Sequence, residues 1–312
     1  MTELTTLEKG YSNVPTIVIE DSETKNAGVG LLVKREDLIH PEISGNKWRK
    51  LKYNLIEAKK QKLSTLLTFG GAYSNHIHAT AAAGIFFGFK TIGIIRGEQP
   101  KELNSTLLKA KENGMQLFFV SRTAYRDKKE LLAQLSLDFE SIYILPEGGT
   151  NSLALKGCSE IVKEYSEKPK IDYWCTSCGT GGTLAGMITA LSAQQKAIGF
   201  SALKGDFLQN EVEQLLSSYD DHKYQNWSIN TDYHFGGYAK FDDSLIQFIN
   251  EFKHKNQIQL DPIYTGKMFY GIYDLIKKGY FPKGSSIMAI HTGGQQGIQG
   301  FNQRFGNLLE PE

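Results

Sequence analysis

Short apolar runs alternate with helix-patterned segments along most of this chain, and that alternation constrains the fold more than any single residue does. Runs at 65–69, 91–95, 116–120 and 141–145 have the length and bounds of strands. Between them, His76 to Gly84, Asn104 to Gly114 and Arg126 to Leu137 carry helical spacing. Strand–helix–strand repetition implies parallel strands, because a parallel pair needs a long crossover and a helix supplies it. A second series follows: helix 152–166, strand 171–175, helix 183–192, strand 197–202 and helix 206–218. Helices 242–254 and 265–278 and strand 286–290 complete it. Two early strands, Thr16 to Ile19 and Val29 to Lys34, precede the first series. No Pro/Gly/Ser-rich linker divides the two series. The expectation is an α/β protein of two closely packed lobes, each a mostly parallel twisted sheet covered by helices.

Composition narrows the function classes. At 312 residues the chain can bury a sizeable core, and 40% hydrophobic with 22% charged residues is the composition of an ordinary globular protein. Lysine and arginine number 35 against 34 acids, so a net charge of +1 gives no global field for nucleic acid. Met1 to Tyr11 is polar and reads as no signal peptide, and no apolar run has the length of a membrane span. The cytoplasm is the expected location. Three cysteines make no disulfide framework. Cys175 and Cys178 form a C-x-x-C without a second pair, so they read as core and loop residues and no metal site is expected. His76 and His78 fall on different faces of a helix, which argues against a shared metal.

Three segments carry chemistry. Ser44-Gly45-Asn46-Lys47 is a turn ahead of the amphipathic run Trp48 to Lys59. A lysine amine condenses with a carbonyl only when neutral, and burial beside other cations, here Arg49 and Lys50, lowers its pKa. Cys178-Gly179-Thr180-Gly181-Gly182-Thr183 lies between a strand and a helix, the arrangement in which backbone N–H groups cradle a phosphate. Its spacing matches neither a P-loop nor a dinucleotide fingerprint. Gly70-Gly71-Ala72-Tyr73-Ser74-Asn75-His76 follows a strand and opens an alanine-rich helix. Ser74 and Asn75 suit a helix cap, and exposed N–H groups there suit a carboxylate. Each has a plainer reading: a surface lysine, a tight turn without ligand, a cap and nothing more.

Taken in order along the chain, the segments resemble the fold-type II pyridoxal-phosphate enzymes, and within them the family of 1-aminocyclopropane-1-carboxylate deaminase and D-cysteine desulfhydrase. Lys34-Arg35-Glu36-Asp37-Leu38, Gly45 to Lys50, Ser74-Asn75-His76, Cys178 to Thr183, Asp261 to Lys267 and His291-Thr292-Gly293-Gly294 are the matching stretches. The resemblance implies pyridoxal 5'-phosphate as cofactor, a smaller lobe at 50–150, and a larger lobe of 1–49 plus 151–312 that carries the phosphate loop. It implies Lys47 as the lysine that holds the cofactor and then acts as base at Cα. Ser74, Asn75 and His76 would meet the substrate, Ser74 as a catalytic residue that binds the carboxylate and relays a proton, with Asn75 also on the cofactor ring. Cys178, Gly179, Thr180, Gly181, Gly182 and Thr183 would bind the phosphate. Tyr264 would face the substrate as an acid, its plainer reading being a core tyrosine. A homodimer is the family expectation.

Two positions bear on the reaction. The deaminase branch has glutamate after the tyrosine and leucine after the later histidine, where this chain has Thr265 and Thr292. A hydroxyl donates to an unprotonated ring nitrogen but supplies no charge, so the electron sink is weaker. Of the two hydroxyls, Thr292 is expected at the ring. A second family tyrosine corresponds to His234-Phe235-Gly236-Gly237-Tyr238, with Phe235 expected at its place and Tyr238 as the alternative hydroxyl. The reading is a lyase converting D-cysteine and water to pyruvate, sulfide and ammonia. Deamination of 1-aminocyclopropane-1-carboxylate is the alternative, along with elimination from D-serine or β-chloro-D-alanine.

Overall fold

The computed structural model describes residues 14–134, 141–166 and 169–310. The polar stretch Met1 to Tyr11 and the end of the helix expected over Arg126 to Leu137 lie outside them. Two sheets form. The smaller has the order β5-β4-β3-β6, from β3 (Thr65–Gly71), β4 (Lys90–Arg96), β5 (Gln116–Val120) and β6 (Ile142–Ile144), all parallel. The larger has the order β1-β2-β10-β7-β8-β9. Its strands are β1 (Thr16–Ile19), β2 (Gly30–Lys34), β7 (Tyr173–Cys178), β8 (Lys196–Ser201), β9 (Trp227–Asn230) and β10 (Ser286–Ile290). Only β1 runs antiparallel, paired with β2. The two N-terminal strands therefore belong to the C-terminal sheet.

The apolar runs are continuous because parallel strands are covered on both faces. On the smaller sheet, α2 (Asn46–Lys60) and α3 (Asn75–Phe87) join one core of Trp48, Leu51, Leu55, Leu66, Ala82 and Ala83. Helix α3 is alanine-rich because it is packed on two sides: Ala82 faces that core, while Ile77 and Ala81 face another with α4 (Ser105–Glu112). In the larger lobe, α9 (Asp243–Asn256) and α10 (Thr265–Lys277) cover one face. The other is covered by α6 (Ser152–Lys163), α7 (Gly182–Ile188) and α8 (Phe207–Tyr219). Cys175 packs in the first of these cores and Cys178 in the other, so the C-x-x-C thiols lie on opposite faces of the sheet.

Three elements were not expected. The helix α1 (Ser22–Ala27) is built between the Asp21 cap, whose carboxylate accepts from Thr24 N, and left-handed Gly28. Strand β9 has four residues, two of them polar. Helix α11 (Gln296–Phe305) contains Gly297 and Gly300, which weaken any helical signal. Gly300 lets the Tyr73 ring sit close, since a Cβ there would stand 3.0 Å from it. The helix expected to Leu137 shows as the short α5 (Lys128–Gln134) within the described residues.

A buried ion cluster joins α2 to the larger lobe. The Arg49 guanidinium, 1% exposed, donates to both oxygens of Glu36 (2.8 and 3.0 Å) and both of Glu164 (2.8 and 2.7 Å). Lys52 donates to both oxygens of Glu160 at 3.0 Å. Removing one member strands buried charge, so Arg49→Met is expected to lose about 3–5 kcal/mol of stability. Urea unfolding followed by tryptophan fluorescence checks this, and a loss under about 1 kcal/mol would mean the cluster relaxes into water.

Candidate functional site

The C-terminal ends of β3, β4, β7 and β10 converge on a cavity of about 920 Å³ between the sheets, the edge at which parallel sheets place ligands. Lys47, Ser74, Asn75, His76, Tyr264, Thr292 and the loop Cys178–Thr183 all line it. Residues separated by more than 200 positions thus share one space. A second cavity, about 1110 Å³, meets the first at Lys47, Asn75 and Thr292.

Lys47 sits in the first turn of α2. The turn before it depends on Gly45, whose φ is +66° and whose absent Cβ would stand 1.9 Å from the Thr292 carbonyl oxygen. Lys47 makes no hydrogen bond or ion pair among the described residues. Desolvation, then the Lys50 charge, brings its pKa to about 7. The neighbour that lowers it is Lys50 and not Arg49, whose charge is taken up by Glu36 and Glu164.

The glycine loop closes β7 and opens α7. Gly181 is left-handed, φ +73°, and a Cβ on Gly182 would fall 2.6 Å from Thr150. Thr183 Oγ1 accepts from Asn46 Nδ2 at 2.8 Å, which ties the loop to the start of the lysine helix. Lys50 is the residue whose role was missed in sequence. Its buried ammonium donates to Gly148 O (3.1 Å), Thr150 Oγ1 (2.9 Å) and Thr180 Oγ1 (3.3 Å). All three acceptors are neutral, and burial lowers its pKa. A buried cation without a counter-charge, set beside open backbone N–H groups, fits a phosphate. No nearby sequence signal pairs Lys50 with Thr180.

Ser74 caps α3, its Oγ accepting from Ile77 N at 3.3 Å. The cap uses a lone pair, so the hydroxyl hydrogen stays available to a carboxylate. The Asn75 side-chain oxygen accepts from Gln296 Nε2 on α11. His76 is 1% exposed, with Nε2 2.8 Å from Thr68 Oγ1. Burial, then Lys47 and Lys50, hold its pKa well below 6.5, so the ring is neutral. It sits under Gly149, where a Cβ would meet it at 2.8 Å.

Tyr264 leads into α10 and packs on Gly179. Asp261 fixes it, accepting from Ile263 N, Tyr264 N and Thr265 N at 2.8–2.9 Å. The Thr265 hydroxyl donates to the same carboxylate at 2.7 Å and does not line the cavity. Thr292 does line it, 3.0 Å from Ser177 Oγ. Phe235 packs edge-on to Tyr270 at 5.0 Å, away from the cavity. Tyr238 lines it instead, ring against Tyr264 at 6.2 Å. Burial raises both hydroxyl pKa values, so both are protonated donors at neutral pH. Buried Lys267 holds the Tyr238 turn through His234 O and Gly237 O, both 2.8 Å.

Fold and site together define a fold-type II pyridoxal-phosphate enzyme. The family model described as pyridoxal-phosphate dependent enzyme matches residues 8–293. A Pyrococcus furiosus protein provisionally named 1-aminocyclopropane-1-carboxylate deaminase is 33% identical over 303 residues, covering 92% of this chain and 91% of that one. The Arabidopsis thaliana bifunctional D-cysteine desulfhydrase/1-aminocyclopropane-1-carboxylate deaminase is 31% identical over 87% of this chain and 74% of its own. A crystal structure of a 1-aminocyclopropane-1-carboxylate deaminase homologue superposes with a TM-score of 0.83 at 28% identity, covering 95% of this chain and 94% of that one. This chain belongs to the pyridoxal-phosphate family of 1-aminocyclopropane-1-carboxylate deaminase and D-cysteine desulfhydrase, and pyridoxal phosphate is its cofactor. No helix among the described residues is long and apolar enough to cross a membrane.

A pKa near 7 makes Lys47 half neutral at that pH and about nine-tenths neutral one unit higher. Reductive labelling of the cofactor-free protein with a small aldehyde is therefore expected to modify Lys47 at a rate that rises through pH 7 and levels off. Surface lysines continue to gain beyond pH 10. Peptide mapping against pH checks this, and a Lys47 profile like that of the surface would refute the lowered pKa.

Proposed function

We propose that this enzyme catalyses α,β-elimination from a small β-substituted amino acid, with D-cysteine as the preferred substrate. The observation that carries this reading is Thr292: a hydroxyl, not a carboxylate, stands at the strand end facing the cofactor site, and Thr265 is turned away to Asp261. When bound, pyridoxal phosphate withdraws electron density from Cα of the attached amino acid. Without a carboxylate to keep the ring nitrogen protonated that withdrawal is modest, which suits expulsion of a good leaving group better than opening a carbon ring.

The remaining work falls to the chain's own residues. Loop N–H groups with Lys50 hold the phosphate, and Ser74 with Asn75 holds the substrate carboxylate. Neutral Lys47 takes the Cα proton. The electron pair forms the Cα–Cβ double bond, the Cβ–S bond breaks, and Tyr264 or Tyr238 delivers a proton toward the departing sulfur. Water then converts the released enamine to pyruvate and ammonia. Both hydroxyls remain protonated at the working pH, as an acid in this role requires.

The names of the Pyrococcus relative and of the superposed structure favour a second reading, ring opening of 1-aminocyclopropane-1-carboxylate to 2-oxobutanoate. It uses the same Lys47 and the same loop. Pyruvate release from D-cysteine, L-cysteine, D-serine and β-chloro-D-alanine, beside 2-oxobutanoate release from the cyclic acid, separates the two. D-cysteine is expected to lead, and Lys47→Ala to lower the rate about 100-fold or more. Turnover of the cyclic acid alone would overturn the elimination reading.

A further inference from the structure

Five cations around the cavity are left over once the cofactor and the Cα proton are served: Arg96, Arg122, Arg126, Lys128 and Arg304. With Lys50 they make six cationic side chains against one carboxylate, Glu147, in the lining. That carboxylate is engaged by Lys128 at 3.1 Å. None of the four arginines has a carboxylate partner among the described residues. A chain of net charge +1 has no general surplus to scatter, so this concentration is local.

Arg96 is the best placed. It ends β4, in register with Gly71, the last residue of β3 before the turn that leads to Ser74. A Cβ on Gly71 would lie 3.7 Å from Arg96 Nη2, an ordinary contact distance that places the guanidinium beside that turn. The guanidinium lies 5.6 Å from the Tyr125 ring centroid, and its charge is felt by the Tyr238 hydroxyl on the other lobe. It therefore stands between the turn of Ser74 and the tyrosine pair, the space that the elimination reading gives to the Cβ substituent of the amino acid. The phosphate of the cofactor is met by the glycine loop and Lys50, and the α-carboxylate by Ser74 and Asn75. Neither accounts for a cationic group at this third position.

We infer that, beside D-cysteine, the cavity binds amino acids bearing an anionic group on Cβ more tightly than uncharged ones of like size, with Arg96 as the specificity-determining contact and the outer arginines raising the local concentration of such ligands. The inference rests on the elimination reading for where the amino acid sits. O-phosphoserine illustrates the balance. The Cα proton passes to Lys47, its electron pair forms the Cα–Cβ double bond, and the Cβ–O bond breaks. Phosphate leaves with the Cβ–O bonding pair, and water turns the released enamine into pyruvate and ammonia. No oxidant or reductant is required.

The test is calorimetric titration of the cofactor-loaded protein with O-phosphoserine, O-sulfoserine and uncharged O-methylserine, each as both enantiomers, at low and high salt. The anionic compounds are expected to bind about tenfold more tightly than O-methylserine, as a charge-assisted bond implies. That ratio is expected to fall about tenfold in Arg96→Gln, to return in part in Arg96→Lys, and to shrink as salt rises. Equal binding of O-methylserine, a ratio that survives Arg96→Gln, or inorganic sulfate binding as tightly as O-sulfoserine would each overturn the inference. Pyruvate assayed on the same samples reports separately on the reaction. A retained affinity ratio without pyruvate from any of them or from D-cysteine would support anion selection while ending the elimination reading.

Discussion

The Arg49 cluster is the constraint on which the site depends. Burial alone would drive a guanidinium toward its neutral form, and the carboxylates of Glu36 and Glu164 reverse this and hold Arg49 firmly charged. The three residues come from α2, from the segment after β2 and from the end of α6. Their bonds fix the rotation of α2 about its axis, and with it the direction in which Lys47 leaves the first turn. A buried ion cluster adds little net stability compared with apolar packing. Its contribution here is geometric: it sets where Lys47 points, while burial and the Lys50 charge keep the amine largely neutral.

A second set of bonds governs the two tyrosines. Asp261 gathers three backbone N–H groups and one hydroxyl, which orients the start of α10 and Tyr264. Lys267, one turn on, reaches back to two carbonyls of the 234–238 turn. That turn contains Phe235 at φ +52° and Gly237 at φ +115°, so the chain reverses sharply between them. The reversal sends Phe235 into the core and Tyr238 into the cavity. A hydroxyl is thus kept facing the cavity from a position three residues later in the chain.

Much of the fold was legible because parallel strands covered on both faces appear as unbroken apolar runs, as 65–69 and 197–202 do. Strand β9 and helix α11 were not legible, since their four polar-mixed and ten glycine-bearing residues gain their form from neighbours. At the site, the glycine loop, the Ser74 cap and the Gly45 turn could be read locally because backbone geometry dictates their residue types. Lys50, Arg96 and Lys267 could not. Each acquires its meaning from partners about 25 to 130 positions away, and nothing in the surrounding residues distinguishes them from surface cations.

Gly157 on α6 lies against α2 so closely that a Cβ would be 1.9 Å from the Arg49 carbonyl oxygen. The two helices meet backbone to backbone, with no side chain between them to act as a bearing. Together with the Asn46–Thr183 bond, this makes the lysine helix and the phosphate loop a single body across the lobe boundary. Any tightening of the cleft around a substrate must then be carried by the four-stranded sheet and the Ser74 turn, moving against a lysine and a cofactor cradle that stay in fixed relation to each other.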